Sequence, residues 1–153
     1  MKTSKILISI SLCLFISITT STKVSAQDLK GSWTLIKYKY GEDQELAEVP
    51  KVMNYVKHVT DRYFGWASYG ENGNLIAAGG GTYTLTDSDY TESINYFHPH
   101  GFNLAGTSVR FSYKREGNDW TIVGYTRNVQ LNPGSGEYET IDSVRLEEVW
   151  RKL

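Results

Sequence analysis

The chain has 153 residues, with 16 basic and 17 acidic side chains and a formal net charge of −1. One domain of this length buries enough apolar surface to fold without disulfide or metal staples. No basic run is present to bind nucleic-acid phosphates, so no nucleic-acid partner is expected.

The first 26 residues have the pattern of an export signal. Lys2 and Lys5 form a basic head, an apolar stretch over 6–18 follows, and the small residues Val24-Ser25-Ala26 precede a cleavage point before Gln27. The apolar stretch is shorter than the roughly 20 residues of a membrane-spanning helix, and no other segment is as apolar. We therefore expect no integral membrane segment and a secreted or periplasmic protein.

Cleavage at this point leaves one domain over residues 27–153. The leader contains three lysines and no acidic residue, so this domain keeps 13 basic and 17 acidic side chains, a net charge of −4. Cys13 is the only cysteine and leaves with the leader. Disulfides, thiolate nucleophiles and cysteine metal sites are therefore excluded from the mature domain.

The mature domain is rich in strand-forming residues and punctuated by turns, of which Asn72-Gly73 is the strongest hairpin signal. It holds all 14 glycines and all 11 tyrosines, and the segments between turns are short and rich in Tyr, Val, Ile and Thr. Eight strands are predicted, at 30–40, 57–69, 75–79, 80–86, 90–97, 107–115, 120–128 and 143–152. Tight hairpins between sequential strands favour an all-β fold, an eight-stranded antiparallel up-and-down barrel whose interior holds one small ligand.

One segment has a different periodicity. The apolar residues between Leu46 and Val56 are spaced 3, 3, 1 and 3, which predicts a short helix near residues 45–56 with Pro50 in its first turn. In a closed barrel this helix would cover one mouth as a lid or a plug.

Two motifs lie near opposite ends of the mature domain. Gly31-Ser32-Trp33 in the first strand resembles the Gly-x-Trp opening of the lipocalin and calycin superfamily, and Trp150-Arg151 in the last strand is similar to its closing basic residue. The resemblance implies that Gly31, Trp33 and Arg151 are structural, with Arg151 packed over the Trp33 ring to seal one end. A large indole fills the tapered end of a small barrel, and a guanidinium can stack on its face.

The resemblance extends to a group of secreted bacterial lipocalin-like proteins of unassigned function. Segments 57–66, 80–85 and 90–92 are similar to that group. Together with the two terminal motifs, the resemblance covers nearly all of the mature domain and implies a lipocalin-like barrel.

Alternation along the strands places several aromatic side chains on the inner face. A buried tyrosine hydroxyl needs a hydrogen-bond partner, so an interior with several tyrosines suits an apolar ligand with a few polar groups. The predicted ligand-binding residues are Trp66, Tyr69, Tyr83, Glu92, Tyr96, Arg110, Tyr113 and Tyr125. The alternative is that these aromatic residues simply fill the core.

Glu92 is a candidate buried charge, because it alternates with Tyr90 and Ile94 on one face of its strand. A carboxylate there needs a partner. The candidate partners are Arg62, Arg110 and Arg127. Such a pair would bind the polar end of a ligand or act as an acid or base. The alternative is a solvated Glu92 on the outer face.

Two further motifs carry weaker signals. His98-Pro99-His100, with His58 elsewhere, is compatible with a metal or an axial haem ligand, but a metal site needs three or four ligands and no acidic residue lies close by. We favour a polar loop and expect no metal and no cofactor. Gly79-Gly80-Gly81 lacks the residues that follow a phosphate-binding loop and is interpreted as a bend or bulge between strands.

The function favoured by the sequence is an exported protein that holds a small, largely apolar or amphipathic molecule inside a β-barrel. An alternative is a barrel enzyme of the isomerase, cyclase or lyase type, with Glu92, His58 and Tyr113 as acid-base groups. A third hypothesis makes the outer surface functional and the barrel a rigid platform. The oligomeric state and the ligand's identity stay open.

Overall fold

A computed structural model describes residues 29–42, 44–98, 104–132, 134–136 and 138–153. The described part of the chain forms nine strands: β1 Gly31–Tyr40, β2 Ala47–Glu48, β3 Asn54–Val59, β4 Tyr63–Tyr69, β5 Leu75–Leu85, β6 Asp89–His98, β7 Ser108–Glu116, β8 Asp119–Leu131 and β9 Tyr138–Lys152. Their richness in aromatic, β-branched and small residues explains this preference for extended backbone.

Eight of these strands close into a barrel. From β3 to β9 each strand pairs antiparallel with the next, while β1 pairs with β3 on one side and with β9 on the other. The short β2 adds two residues beside Lys37 and Tyr38 of β1. The predicted all-β, eight-stranded antiparallel barrel is confirmed. Closure leaves no long unpaired edge among the eight barrel strands.

Two parts of the strand prediction are wrong. One predicted strand is in fact two strands and two predicted strands are in fact one, so the total of eight is unchanged. The segment at 57–69 is two strands, β3 and β4, because the chain turns between Thr60 and Tyr63. The Thr60 amide donates to the Tyr63 carbonyl over 2.9 Å, and the Tyr63 amide donates to the Thr60 hydroxyl over 3.1 Å. The two strands predicted at 75–79 and 80–86 are the single strand β5, because the glycine run lies inside it.

The helix predicted near residues 45–56 is also wrong. This segment contains β2, a turn and the start of β3. Val49 precedes Pro50, which disfavours helical backbone, and the Val49 amide donates to the Ile36 carbonyl of β1 over 3.1 Å. Among the described residues, no helix has the length and apolar character needed to cross a membrane.

Aromatic side chains fill one end of the barrel. Trp33, Tyr90 and Trp120 are each 0% exposed, and the Trp120 ring makes edge contacts with Trp33 at 5.4 Å and with Tyr90 at 5.0 Å between centroids. The Trp33 indole N–H donates to the Leu29 carbonyl over 2.9 Å. We call this end the closed end.

The basic residues over Trp33 do not include the expected one. The Arg115 guanidinium carbon lies 4.7 Å from the centre of a Trp33 ring, and the Lys152 ammonium lies 5.6 Å from it. Arg151 instead forms two hydrogen bonds with Asp119, of 2.8 and 2.9 Å. Because Trp150 points inward, alternation along β9 turns the next side chain outward, so the predicted packing of Arg151 over Trp33 is wrong.

A bulge between β5 and β6 changes which side chains point inward. Gly80 pairs with Tyr96 and Gly81 with Ile94, so Asn95 is an extra residue in β6. A Cβ on Gly81 would lie 1.9 Å from the Ser93 carbonyl oxygen, which explains the need for glycine. The bend or bulge predicted between strands at 79–81 is therefore wrong in its position, because this run lies inside β5 and the extra residue of the bulge is Asn95 in β6.

Replacing Gly81 by alanine should destabilise the domain by about 3 kcal/mol or more, because the backbone of β6 blocks the added Cβ. Gly65→Ala is the matched control, since its Cβ first meets the Tyr96 hydroxyl at 3.1 Å, and that side chain can move. Urea unfolding followed by tryptophan fluorescence gives both free energies. Equal losses in the two variants would contradict this account of the bulge.

Arg115→Ala should lower stability by about 1 to 2 kcal/mol, because it removes a cation–π contact and the packing of the side-chain stem on Trp33. Arg151→Ala should cost less, since its ion pair with Asp119 lies on the surface. Thermal unfolding of the two variants compares them. A larger loss of stability for Arg151→Ala than for Arg115→Ala would instead support Arg151 as the residue that closes the barrel.

Candidate ligand-binding site

A cavity of about 510 Å³ lies inside the barrel, beyond the closed end. Its volume is in the range of small-molecule sites. The lining residues are Tyr40, Tyr55, Lys57, Trp66, Ser68, Ile76, Ala77, Glu92, Ile94, Leu104, Val109, Phe111, Ile122, Thr126, Val144, Leu146, Glu148 and Trp150. Two of them, Tyr40 and Ile76, are about two-fifths exposed, so the cavity meets solvent at their end of the barrel.

Strand alternation builds the apolar walls. In β9, Val144 and Leu146 point inward, and in β7 Val109 and Phe111 do the same. Gly124 in β8 leaves room for Phe111, since a Cβ there would lie 2.7 Å from the Phe111 ring. The walls thus offer an apolar surface to whatever occupies the cavity.

A buried ion pair lies at the cavity floor. The Lys57 ammonium of β3 donates to Glu92 Oε1 of β6 over 2.9 Å, and the Tyr90 hydroxyl donates to the same oxygen over 2.8 Å. Lys57 is 3% exposed and Glu92 5% exposed. The interior position predicted for Glu92 is therefore confirmed.

The partner of Glu92 is a lysine and not an arginine. Arg110 lies on the outer surface and makes two hydrogen bonds with Asp89, and Arg127 is exposed. Arg62 is exposed and lies beside the Tyr63 ring. Sequence reasoning missed Lys57 because the unrecognised turn after Val59 hid that β3 is a separate strand.

Aromatic rings surround the Lys57 ammonium. It lies 4.7 Å from the centre of the Trp150 ring and 5.2 Å from that of Trp120, with Tyr90 and Phe64 at 5.9 and 6.0 Å. Such contacts partly replace the water that a buried cation loses. The closed end therefore helps to hold the charged floor of the cavity.

Glu148 is a second carboxylate at the floor, and sequence reasoning did not single it out. Its Oε1 accepts from the Tyr40 hydroxyl over 2.9 Å, and its Oε2 accepts from the Trp150 indole N–H over 2.8 Å. Burial raises the pKa of Glu148 above its ordinary 4.5, while the Lys57 charge and both hydrogen bonds act in the opposite direction. Glu148 alternates with the buried residues Leu146 and Trp150 along β9, and this sequence pattern could have predicted its interior position.

Four of the predicted ligand-binding residues lie inside the barrel. Trp66 and Glu92 line the cavity. Tyr83 is buried near the closed end, where its hydroxyl donates to the Thr60 carbonyl over 2.7 Å. Tyr113 packs against the core, and its hydroxyl donates to the Thr86 carbonyl over 2.9 Å. The structure therefore brings only two of the four to the cavity wall.

The other four predicted residues, Tyr69, Tyr96, Arg110 and Tyr125, are exposed on the outside. The bulge at Asn95 turns Tyr96 outward, and Phe97 packs against the Trp66 ring instead. Tyr125 donates to Glu42 Oε1 over 2.8 Å.

The acid-base group suggested by the sequence is not assembled. His58 is exposed and its Nδ1 lies 2.9 Å from the Ser32 hydroxyl, whereas Glu92 is inside the barrel. The histidine motif at 98–100 falls partly outside the described residues. Within the described ranges, no three His, Cys, Asp or Glu side chains are grouped as a metal site would require.

Two solved structures are similar to this chain. An uncharacterized protein from Bacteroides eggerthii DSM 20697 is similar, with a TM-score of 0.51 and 15% identity over 81% of this chain and 98% of that chain. A structure of EF1p2_mFAP2b bound to DFHBI gives a TM-score of 0.49 and 14% identity over 84% of this chain and 96% of that chain. At 15% identity, the first likeness shows a shared fold and nothing about function.

Comparison with curated proteins gives no match. A family model described as a domain of unknown function, DUF4488, matches residues 28–153. The match includes every described strand of the barrel and the entire cavity lining. The chain therefore belongs to the DUF4488 family.

Proposed function

We propose that this domain is an exported binding protein that holds a small, largely apolar molecule with one polar end inside its barrel. The cavity of about 510 Å³, with apolar walls and a charged floor, carries the proposal. Protein interiors normally leave few voids larger than a water molecule. A cavity of this size in a small domain is therefore best explained by a ligand.

The polarity of the cavity defines the ligand's orientation. Lys57, Glu92 and Glu148 lie at the floor, while Leu104, Val144 and other apolar side chains form the walls. An apolar body against the walls gains the hydrophobic contribution, and the polar end reaches the floor groups. The chemistry of the ligand's polar end is then set by the hydrogen bonds and ion pairs that the floor groups can form.

Export and lipocalin kinship belong to the same proposal. The basic head and small-residue cleavage pattern of residues 1–26 support export. The Gly-x-Trp motif at 31–33 in the first barrel strand and the aromatic closed end support a lipocalin-like origin. Release into the periplasm or medium suits a protein that sequesters a sparingly soluble molecule.

The neutral apolar dye Nile red tests the proposal. It should gain fluorescence with the natural-sequence domain, and Val144→Trp should weaken its binding at least tenfold because the indole fills the cavity. Val149→Trp is the matched control: it makes the same change in the same strand, at a position outside the cavity lining. Thermal unfolding checks that both variants fold. Equal dye binding by both variants would place the dye outside the barrel and contradict the proposal.

A second candidate function is acid-base catalysis on a molecule held in the cavity. The observation that favours it is the pair of buried carboxylates, Glu92 and Glu148, beside the hydroxyls of Tyr90 and Tyr40. A carboxyl whose pKa is raised by burial accepts and returns protons near neutral pH more readily than an exposed one. In this candidate function, Glu148 replaces His58 as an acid-base group.

The raised pKa of Glu148 predicts a pH dependence of stability. Between pH 4.5 and the raised value, the folded protein binds a proton that the unfolded chain releases, so stability should fall as pH rises through this window. Glu148→Gln removes this titration and should flatten that part of the curve. Urea unfolding at a series of pH values measures it, with Glu147→Gln, on the outward face, as the control. Parallel curves for Glu148→Gln and the unmodified domain would show that the pKa is not raised.

A further inference from the structure

The charges on the cavity lining do not balance. Among the described lining residues, the charged side chains are the carboxylates of Glu92 and Glu148 and the ammonium of Lys57. With all three ionised, the floor carries a net charge of −1. A ligand anion would add a third negative charge in a region of low dielectric, whereas a ligand cation would balance the floor.

The hydrogen-bonding capacity of the floor has the same bias. Glu92 Oε1 accepts from both Lys57 and Tyr90, and an ionised carboxylate has about four acceptor positions on its two oxygens. Glu92 is 5% exposed and lines the cavity. An ionised carboxylate on the cavity lining can accept further hydrogen bonds but donates none, so it favours a ligand that carries a donor.

Lys57, the one cation among the described lining residues, is already engaged. Lys57 donates to Glu92 over 2.9 Å and lies over the rings of Trp150 and Trp120. Recruiting this ammonium to a ligand anion would separate it from Glu92 and leave that carboxylate buried without its ion-pair partner. Lys57 therefore offers little to an anionic ligand.

Aromatic faces on the lining add to the attraction for a cation. Trp66 and Trp150 line the cavity, and the Trp150 ring already lies 4.7 Å from one ammonium. The face of an indole attracts cations that have lost water. Burial raises the pKa of Glu148, and a cation bound beside it acts in the opposite direction, towards the ionised carboxylate.

Resting on the proposed ligand-binding function, we infer that the cavity selects amphipathic cations: molecules with a protonated amine that donates to Glu92 and Glu148, and an apolar body that packs against the walls. The amine lies at the floor, and the apolar body extends towards Ile76 and Leu104. Primary and secondary alkylamines have this chemistry, because each donates at least two hydrogen bonds and carries one positive charge.

Three probes with the same ten-carbon alkyl chain test the head-group preference at pH 7.5: decylamine and decanoate, used below their micelle concentrations, and decanol, used below its solubility limit. Displacement of Nile red and titration calorimetry give the dissociation constants. Decylamine should bind at least tenfold more tightly than decanol, and decanoate should bind least tightly. Equal or tighter binding of decanol or decanoate would overturn the cation preference while the proposed binding function stands.

Variants of the two carboxylates test whether these groups cause the preference for a cation. Glu148→Gln should reduce the ratio of decylamine to decanol affinity at least fivefold, and Glu92→Gln should do the same. If Glu92→Gln fails to fold because Lys57 loses its partner, Glu148→Gln decides the matter, since its hydrogen-bond donors are the uncharged Tyr40 and Trp150. Glu147→Gln, one residue away on the outer face, should leave the ratio unchanged.

The remaining outcomes separate this inference from the function on which it rests. A decylamine preference that persists in Glu148→Gln and in a folded Glu92→Gln would overturn the assignment of the carboxylates. Nile red binding without displacement by any of the three probes would overturn the cation preference alone. Failure of Nile red and all three probes to bind would overturn both the proposed function and the inference.

Discussion

The pairing of β1 with β9 is the constraint on which the rest of this structure depends. These strands lie near opposite ends of the described chain, and their antiparallel register joins Trp33 to Lys152 and Tyr40 to Leu146. Without this contact the sheet would have two open edges and no enclosed space. With it, the Tyr40 hydroxyl of β1 reaches Glu148 of β9 over 2.9 Å, so closure also completes part of the cavity floor.

The two ends of the barrel have different roles because their residues differ in size. At the closed end, the rings of Trp33, Tyr90 and Trp120 fill the interior and exclude water. Beyond them, smaller side chains such as Ala77 and Val144 leave space. The charged floor lies at the boundary, where the Lys57 ammonium contacts the aromatic rings on one side and the cavity on the other.

Stability alone does not explain the buried charges. Removing two charges from water costs several kcal/mol per ion, and apolar residues of similar volume usually stabilise a core equally well or better. Lys57, Glu92 and Glu148 are nonetheless buried together beside a cavity. Burial raises the pKa of Glu148, and groups perturbed in this way are concentrated at functional sites, which is why the floor is central to both candidate functions.

Local sequence properties determined the all-β class, five of the eight barrel strands and the inward position of Glu92, because alternation and turn residues act over a few positions. Tertiary structure alone decided the partners. Lys57 meets Glu92 across two intervening strands, Arg115 rather than Arg151 covers Trp33, and a bulge at Asn95 sends Tyr96 outward. Register between strands sets these contacts, and a one-residue shift reverses every face, so they follow from closure of the whole sheet and not from any one segment.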